Sequence, residues 1–290
     1  MDASVSFEAY RPYLFAIAYR MLGSAMDAED VVQETFLRYQ ATPPDDVRSP
    51  KAFLTTILTR LCLDQLHLAR RKRETYLGPW LPEPILTAGP TAPATPGEQV
   101  DEAESLSLAF LVLLEQLQPV ERAVFLLREV FDYDYAEIAG FLGKSEAACR
   151  QAFSRAKKHL ADHRPRFPPS SEAHQELLTG FVRATQAGDM EALMSLLAED
   201  VALWADGGGK VRGAATRAVV GREAVARFSI GATRAFLPED HQFELTEVNR
   251  QPALVIRAGG RAYVVLTIEV EAGQIRAIRI IANPEKLARV

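Results

Sequence analysis

Arg150, Gln151, Ser154, Arg155 and Lys158 fall on one side of a helical pattern that runs from Ser145 to Leu160. The other side reads Cys149, Phe153, Ala156 and Leu160, a core stripe at helical spacing. Forked and extended polar donors on the free face of such a helix match base edges and phosphates in a major groove. Ahead of it lies a shorter helical pattern from residue 135. Gly143 can end that helix in a left-handed turn, and Ser145 can cap the next one. Residues 135–160 therefore predict a helix-turn-helix with a basic second helix. An ordinary αα-hairpin with a solvated basic face has the same pattern, so the neighbouring segments must decide.

Charge narrows the choice. The chain carries 33 Lys and Arg against 38 Asp and Glu, a net charge of −5. Non-specific attraction to phosphate is then weak, and positive charge is local. Residues 144–166 hold seven Lys or Arg against two acids, and Arg70, Arg71, Lys72 and Arg73 form a run. Basic patches on an acidic chain imply docking that depends on a partner. The two cysteines, Cys62 and Cys149, both sit in helical patterns and read as buried thiols. No disulfide, metal or other cofactor is expected, which fits a reducing compartment. The segment MDASVSFEAYRPYLF lacks a basic stretch followed by an apolar run, and no stretch reaches membrane-span length, so a cytoplasmic protein without membrane contact is expected.

The elements that position these residues fall into blocks. Residues 7–75 read as helix throughout. Phe7, Tyr10, Leu14, Phe15, Ala18 and Leu22 make a first apolar face, broken at Gly23-Ser24. Asp27 is expected to cap a second helix, with Val31, Val32, Thr35, Phe36 and Tyr39 inward and Asp30, Gln33, Glu34 and Arg38 outward. Ser49-Pro50 opens a third helix that ends in the basic run. Residues 77–97 contain six prolines and three glycines in 21 positions, so a partly extended tether is expected. Its opening Trp80-Leu81-Pro82-Glu83-Pro84 is different, because an exposed Trp beside Leu and Ile is costly unless it docks. Residues 99–164 return to helix, with Pro119 starting one element, and Pro165, Pro168 and Pro169 close the block. From residue 172 onward two helices (172–187 and 189–197) precede β-rich segments at 201–205, 242–249, 253–258, 262–269 and 274–281, with a helix near 221–229. Alternation in Ile275, Ala277, Ile278 and Ile280 with Arg276 and Arg279 predicts antiparallel strands with one covered face.

Together these blocks resemble bacterial alternative sigma factors of the extracytoplasmic-function type, in the subgroup with a fused C-terminal SnoaL-like domain. The resemblance rests on DAEDVVQETFLRY (27–39), SPKAFLTTILTRLCLDQLHLARRKR (49–73), the helix-turn-helix, WLPEP (80–84) and DGGGK (206–210). It implies a multidomain chain: an all-α second sigma region over 1–76, a Pro-rich linker over 77–98, an all-α fourth region over 99–165, and an α+β SnoaL-like (NTF2-like) cone-shaped domain over 172–290. It implies an RNA polymerase sigma factor, not an enzyme, that works with core RNA polymerase on promoter DNA and is a monomer when free. Asp30, Gln33, Glu34 and Arg38 would dock on the polymerase clamp helices. Arg60 and Asp64 would lie near an extruded base of the melted −10 element, with Arg70, Arg71, Lys72 and Arg73 on phosphates. For Arg60 an ion pair with Asp64 is an equal alternative. Arg150, Gln151, Ser154, Arg155 and Lys158 would read the −35 element.

The last domain is the least determined. Fold relatives include small cyclases and isomerases that use an Asp or His acid/base, for which Asp206, Asp240 and His241 are the candidates here. Asp206 opens DGGGK, however, and three glycines favour tight turning and close backbone approach over a rigid acid/base site. The expectation is a built-in regulator. Asp206, Gly207, Gly208, Gly209 and Lys210 would touch the second region and the tether residues Trp80, Leu81, Pro82, Glu83 and Pro84, at the high effective concentration of a linked domain. A self-sufficient helix-turn-helix regulator with a sensing domain and an enzyme with a helical appendage are the rival classes.

Overall fold

A computed structural model describes residues 3–42, 47, 49–73, 75–88, 106–161 and 171–290, with the side chains of 3–6, 70–72 and 161 outside the description. The chain separates into two compact units, each assembled from two stretches: Met1–Glu74 with Pro93–Arg164, and Thr75–Ala92 with Pro165–Val290. The described start of the Pro-rich tether, residues 75–88, falls with the C-terminal unit, and the two helical regions fall together in the other.

The first unit is helical. Helices α1 (Ala3–Leu22), α2 (Ala25–Gln40) and α3 (Pro50–Arg73) pack on one another around Leu14, Ile17, Tyr19, Met21, Leu54 and Leu58, all fully buried. The cap of α2 is Ser24, not Asp27. The Ser24 hydroxyl accepts from the Asp27 amide at 3.1 Å, and Asp27 sits in the first turn where its charge suits the dipole. Helices α4 (Leu108–Leu114) and α5 (Pro119–Phe125) follow, and α5 widens into a π turn over Leu126–Val130. Helices α6 (Tyr135–Leu142) and α7 (Glu146–Ala161) form the expected helix-turn-helix. Gly143 turns the chain at φ 61°, a left-handed conformation costly for a side chain bearing Cβ. The Ser145 hydroxyl accepts from the Ala148 amide at 3.2 Å. Val124, Leu127, Ile138, Phe141, Cys149 and Ala152 make the core under the motif.

The second unit wraps a six-stranded sheet around helices α8 (Ser171–Ala187), α9 (Met190–Leu196) and α10 (Arg222–Phe236). The strands are β1 (Leu197–Asp206), β2 (Val219–Val220), β3 (Gln242–Val248), β4 (Gln251–Ala258), β5 (Arg261–Glu271) and β6 (Gln274–Ile281), in the order β2-β1-β6-β5-β4-β3. The expectation of purely antiparallel strands fails at one place: β1 and β6 are parallel. Asn249 leaves the strand predicted for it and forms, with Arg250, a left-handed two-residue turn at φ 53° and 62°.

Opposed residues in neighbouring strands share a face, so the register separates the two sides of the sheet. Ala205, Ile280, Leu266 and Leu254 form one cross-strand row that faces the helices. Asp206, Ile281, Val265 and Val255 form the next row on the opposite side, and all four are fully buried. The single covered face expected from the 274–281 alternation is therefore incomplete. Arg279 is only 7% exposed, pairs with Glu269 and lies over the Trp204 ring. No helix among the described residues is long and apolar enough to cross a membrane.

His174 on α8 is buried, with an Nε2 that has no hydrogen-bond partner among the described residues, and burial lowers its pKa below 6.5. The unfolded chain therefore takes up the proton first. Stability is full above 6.5 and falls as pH drops through the unfolded and then the lowered folded value. Thermal melts from pH 7.5 to 5.5 should show the wild type losing ground steadily against His174→Leu; parallel curves would contradict this.

Candidate nucleic-acid interface and linker dock

The groove-reading face of α7 is assembled as the spacing requires. Arg150, Gln151, Ser154, Arg155 and Lys158 are all exposed, while Cys149, Ala156 and Leu160 are buried and Phe153 is half-buried. Phe153 stacks on Phe125 and meets Tyr135 edge-on, which fixes the helix against its neighbours. Arg150 bonds Glu146 at 2.5 Å and lies 4.6 Å from the Tyr135 ring centre, and Arg155 bonds the buried Glu121 at 2.7 Å. The exposed Arg150–Glu146 pair contributes little, so Arg150 is oriented rather than consumed.

On α2, Asp30, Gln33 and Arg38 are exposed and Glu34 is half-buried, with Arg38 bonded to Glu34 at 2.8 Å. Two residues absent from the sequence expectation join them: Met26 and Leu37 are 53% and 52% exposed. Met26, Asp30, Gln33 and Leu37 follow helical spacing, so apolar and polar groups share one stripe, the composition of an interface rather than of a solvated face. The exposed Leu37 amid polar neighbours was the sequence signal.

Residues of α3 behave differently. The alternative Arg60–Asp64 ion pair does not form; Arg60 instead donates to the carbonyls of Phe141 at 3.0 Å and Gly140 at 3.5 Å, at the C-terminal end of α6. A cation there meets the negative end of the helix dipole. Arg73, expected on a phosphate, pairs with Glu115 and donates to the Leu22 carbonyl at 3.4 Å. Burial lowers its pKa to about 10, with Arg122 adding to the effect. The buried Arg122 also bonds Glu115 at 2.7 Å and donates to the Met21 carbonyl. Glu115 thus neutralises two guanidiniums that sequence spacing does not bring together. Tyr13 and Tyr133 hydroxyls meet at 2.5 Å, and Thr55 lies 3.2 Å from Tyr133. The side chains of Arg70, Arg71 and Lys72 lie outside the described residues.

WLPEP and DGGGK meet within the second unit. The Asp206 carboxylate is fully buried and accepts from the Tyr76 hydroxyl at 2.5 Å, the Leu81 amide at 2.8 Å, the Gly208 amide at 3.1 Å and Lys286 Nζ at 2.6 Å. Burial and this carboxylate push the Tyr76 hydroxyl pKa up. Lys286 Nζ also donates to the Leu81 carbonyl and lies 4.1 Å from the Trp80 ring centre and 5.3 Å from that of Tyr76. An ammonium between two aromatic faces gains a cation–π term. Asn283 donates to the Tyr76 hydroxyl at 2.9 Å. A Cβ on Gly208 would lie 2.5 Å from the Asn283 amide nitrogen, so this position needs glycine for approach as well as for φ. Lys210, further along, pairs with Glu285 at the surface.

A second anchor lies across the sheet. The Ile85 amide donates to Asn249 Oδ1 at 3.0 Å, and the Asn249 amide donates back to the Ile85 carbonyl at 2.9 Å. Thr87 and Leu86 complete the contact with Glu247, Val248 and Arg250. Pro82 and Pro84 favour an extended backbone between the two anchors, Leu81 at Asp206 and Ile85 at Asn249. Leu81, Pro82, Glu83 and Pro84 are all buried. Tyr76, Asn249, Asn283 and Lys286 were missed from sequence; the Asn283-Pro284 turn ahead of Lys286 was the one local signal.

None of the three acid/base candidates fits a reaction site. Asp206 faces the linker, Asp240 accepts from the Gly259 amide at 2.8 Å, and the His241 ring lies 2.6 Å from the Pro238 carbonyl. None lines the apolar cavity that Phe181, Phe228 and Ile256 border in this unit.

Comparison with known proteins agrees with this arrangement. The sigma-70 region 2 family matches residues 6–74, and the sigma-70 region 4 family matches residues 107–160. The ECF RNA polymerase sigma factor SigJ of Mycobacterium tuberculosis is 38% identical over 289 residues, covering 97% of this chain and 91% of that protein. The probable ECF sigma factor SigI of the same organism is 29% identical, covering 98% and 94%. The crystal structure of M. tuberculosis SigJ matches with a TM-score of 0.76 at 37% identity, over 98% of this chain and 97% of that one. With a helix-turn-helix, a second helical region and an α+β cone-shaped third part all matched along the chain, the protein belongs to the extracytoplasmic-function RNA polymerase sigma factors.

Proposed function

We propose that residues 1–76 and 99–165 act as the −10 and −35 modules of this sigma factor, and that the SnoaL-like domain regulates them by holding the segment that connects them. In this reading α2 docks on core RNA polymerase through Asp30, Gln33, Glu34 and Arg38, with Met26 and Leu37 supplying apolar contact. Arg150, Gln151, Ser154, Arg155 and Lys158 read the −35 element. Arg60 and Asp64 serve the melted −10 strand, with Arg70, Arg71 and Lys72 on its phosphates. For Arg60 and Arg73 that role requires release from Phe141, Gly140 and Glu115. The observation that carries the regulatory half is the Asp206 carboxylate, which binds both ends of the Tyr76–Leu81 turn to the core of the C-terminal sheet.

Two measurements test these roles. In polymerase-dependent promoter binding, Arg150→Ala should cost about 1–3 kcal/mol and relax preference at one −35 position, whereas Lys158→Ala should weaken all sequences evenly. Equal weakening by Arg150→Ala on every sequence would remove its base-reading role. Asp206→Asn leaves Lys286 without its charge partner, at a cost of about 3–5 kcal/mol for a buried pair. Hydrogen exchange over residues 76–87 should accelerate and promoter-driven transcription should change. Accelerated exchange with unchanged transcription would refute regulation through the linker; unchanged exchange would refute Asp206 as its anchor.

A further inference from the structure

Under the groove-reading face of α7 lies a buried charge from another helix. Glu121, in the first turn of α5, is 5% exposed. Its two carboxylate oxygens have separate partners. Oε2 accepts from the Gln118 amide at 3.3 Å and closes the N-terminal turn of α5, with His159 Nδ1 3.7 Å away. Oε1 accepts from Arg155 Nε at 2.7 Å and joins α5 to α7. Arg155 itself is 57% exposed, and its two terminal nitrogens have no hydrogen-bond partner among the described residues. Arg150 is held in another way. Its partner Glu146 is exposed and belongs to the same helix, so neither side chain of that pair is fixed by packing. Arg155 is tied to a carboxylate that the core holds still. A guanidinium is planar, so a bond at Nε restricts the plane in which the terminal nitrogens lie.

We infer that Glu121 is a positioning residue for reading the −35 element: it holds the Arg155 guanidinium ready for a base edge with two acceptors, and so sets the preference at that base pair. Guanine presents such an edge in the major groove. The inference rests on the assignment of α7 to the −35 element. Two effects support it. A long side chain that is ordered before binding loses less rotamer freedom on DNA. The carboxylate also offsets the charge of Arg155, which lowers attraction to phosphates of any sequence while leaving the directional hydrogen bonds intact. Both effects raise discrimination between sequences.

Glu121→Gln separates this role from a purely structural one. The amide has one acceptor oxygen for two donors, so keeping the α5 cap turns its NH2 toward Arg155 Nε. Glutamine suits the capping position, and the cations left behind on Arg155 and His159 are exposed, so the variant should stay folded, as its melting curve will show. Holoenzymes assembled from core polymerase with wild type, Glu121→Gln, Arg155→Ala or the double variant are compared on promoter fragments randomised over the −35 element, and on a fragment without it. The wild type should select guanine at one position, and both single variants should relax that selection. On the selected promoter Arg155→Ala should weaken binding roughly 5- to 150-fold, and Glu121→Gln at least about threefold. On the fragment without the element Glu121→Gln should bind as well as wild type or better, which a damaged fold would not do. The double variant should be no weaker than Arg155→Ala alone, because the glutamate acts through that arginine. Losses that add in the double variant would overturn the inference, as would a base preference unaltered by Glu121→Gln. Full activity of Arg155→Ala on every sequence would remove Arg155 from −35 reading, and the inference with it.

Discussion

A single buried charge pair, Asp206 with Lys286, organises the C-terminal half of this sigma factor. A carboxylate with no solvent access is tolerable only where each lone pair is met. Here four donors meet it, and two of them, the Tyr76 hydroxyl and the Leu81 amide, come from a segment more than a hundred residues away in sequence. The connection between the two promoter-reading regions is thereby one of the conditions for burying Asp206. Without that segment the carboxylate would lose two of its four donors. The fused domain and the described first part of the linker form one compact unit, and Pro82 and Pro84 stiffen the stretch held at both ends.

Within the helical unit a comparable constraint is set by Glu115 and Tyr133. Glu115 balances Arg73 and the buried Arg122, while Tyr133 meets Tyr13 and Thr55. Both join α1 and α3 to helices that come much later in the chain. Arg60, capping α6, adds to the same junction. Two residues that family resemblance assigns to promoter strands, Arg60 and Arg73, thus serve as internal fasteners in this conformation.

Local signals carried most of the secondary structure. The cap at Ser145, the left-handed Gly143, the stripe through Cys149 and Leu160, and the strand at 274–281 all depend on residues within a few positions of one another, and each is found where the pattern placed it. Distant partners are what spacing does not show: Glu115 beside Arg73, and Glu269 and Trp204 over Arg279. The parallel pairing of β1 with β6 is set by closure of the whole sheet. WLPEP and DGGGK were recognisable as motifs, but Lys286 between Trp80 and Tyr76 lies in neither, and no periodicity links it to them.

The interlaced order of the two units has a consequence for how the protein is made. The helical unit is fully encoded once residue 164 has been added, but the strap at Tyr76–Leu81 waits for Lys286, about 120 residues further on. At ordinary synthesis speeds that is an interval on the order of ten seconds, long against the formation of helices. Each nascent chain therefore passes through a period in which its promoter-reading helices can be folded and its strap is still loose. Fastening waits until Lys286 has left the ribosome.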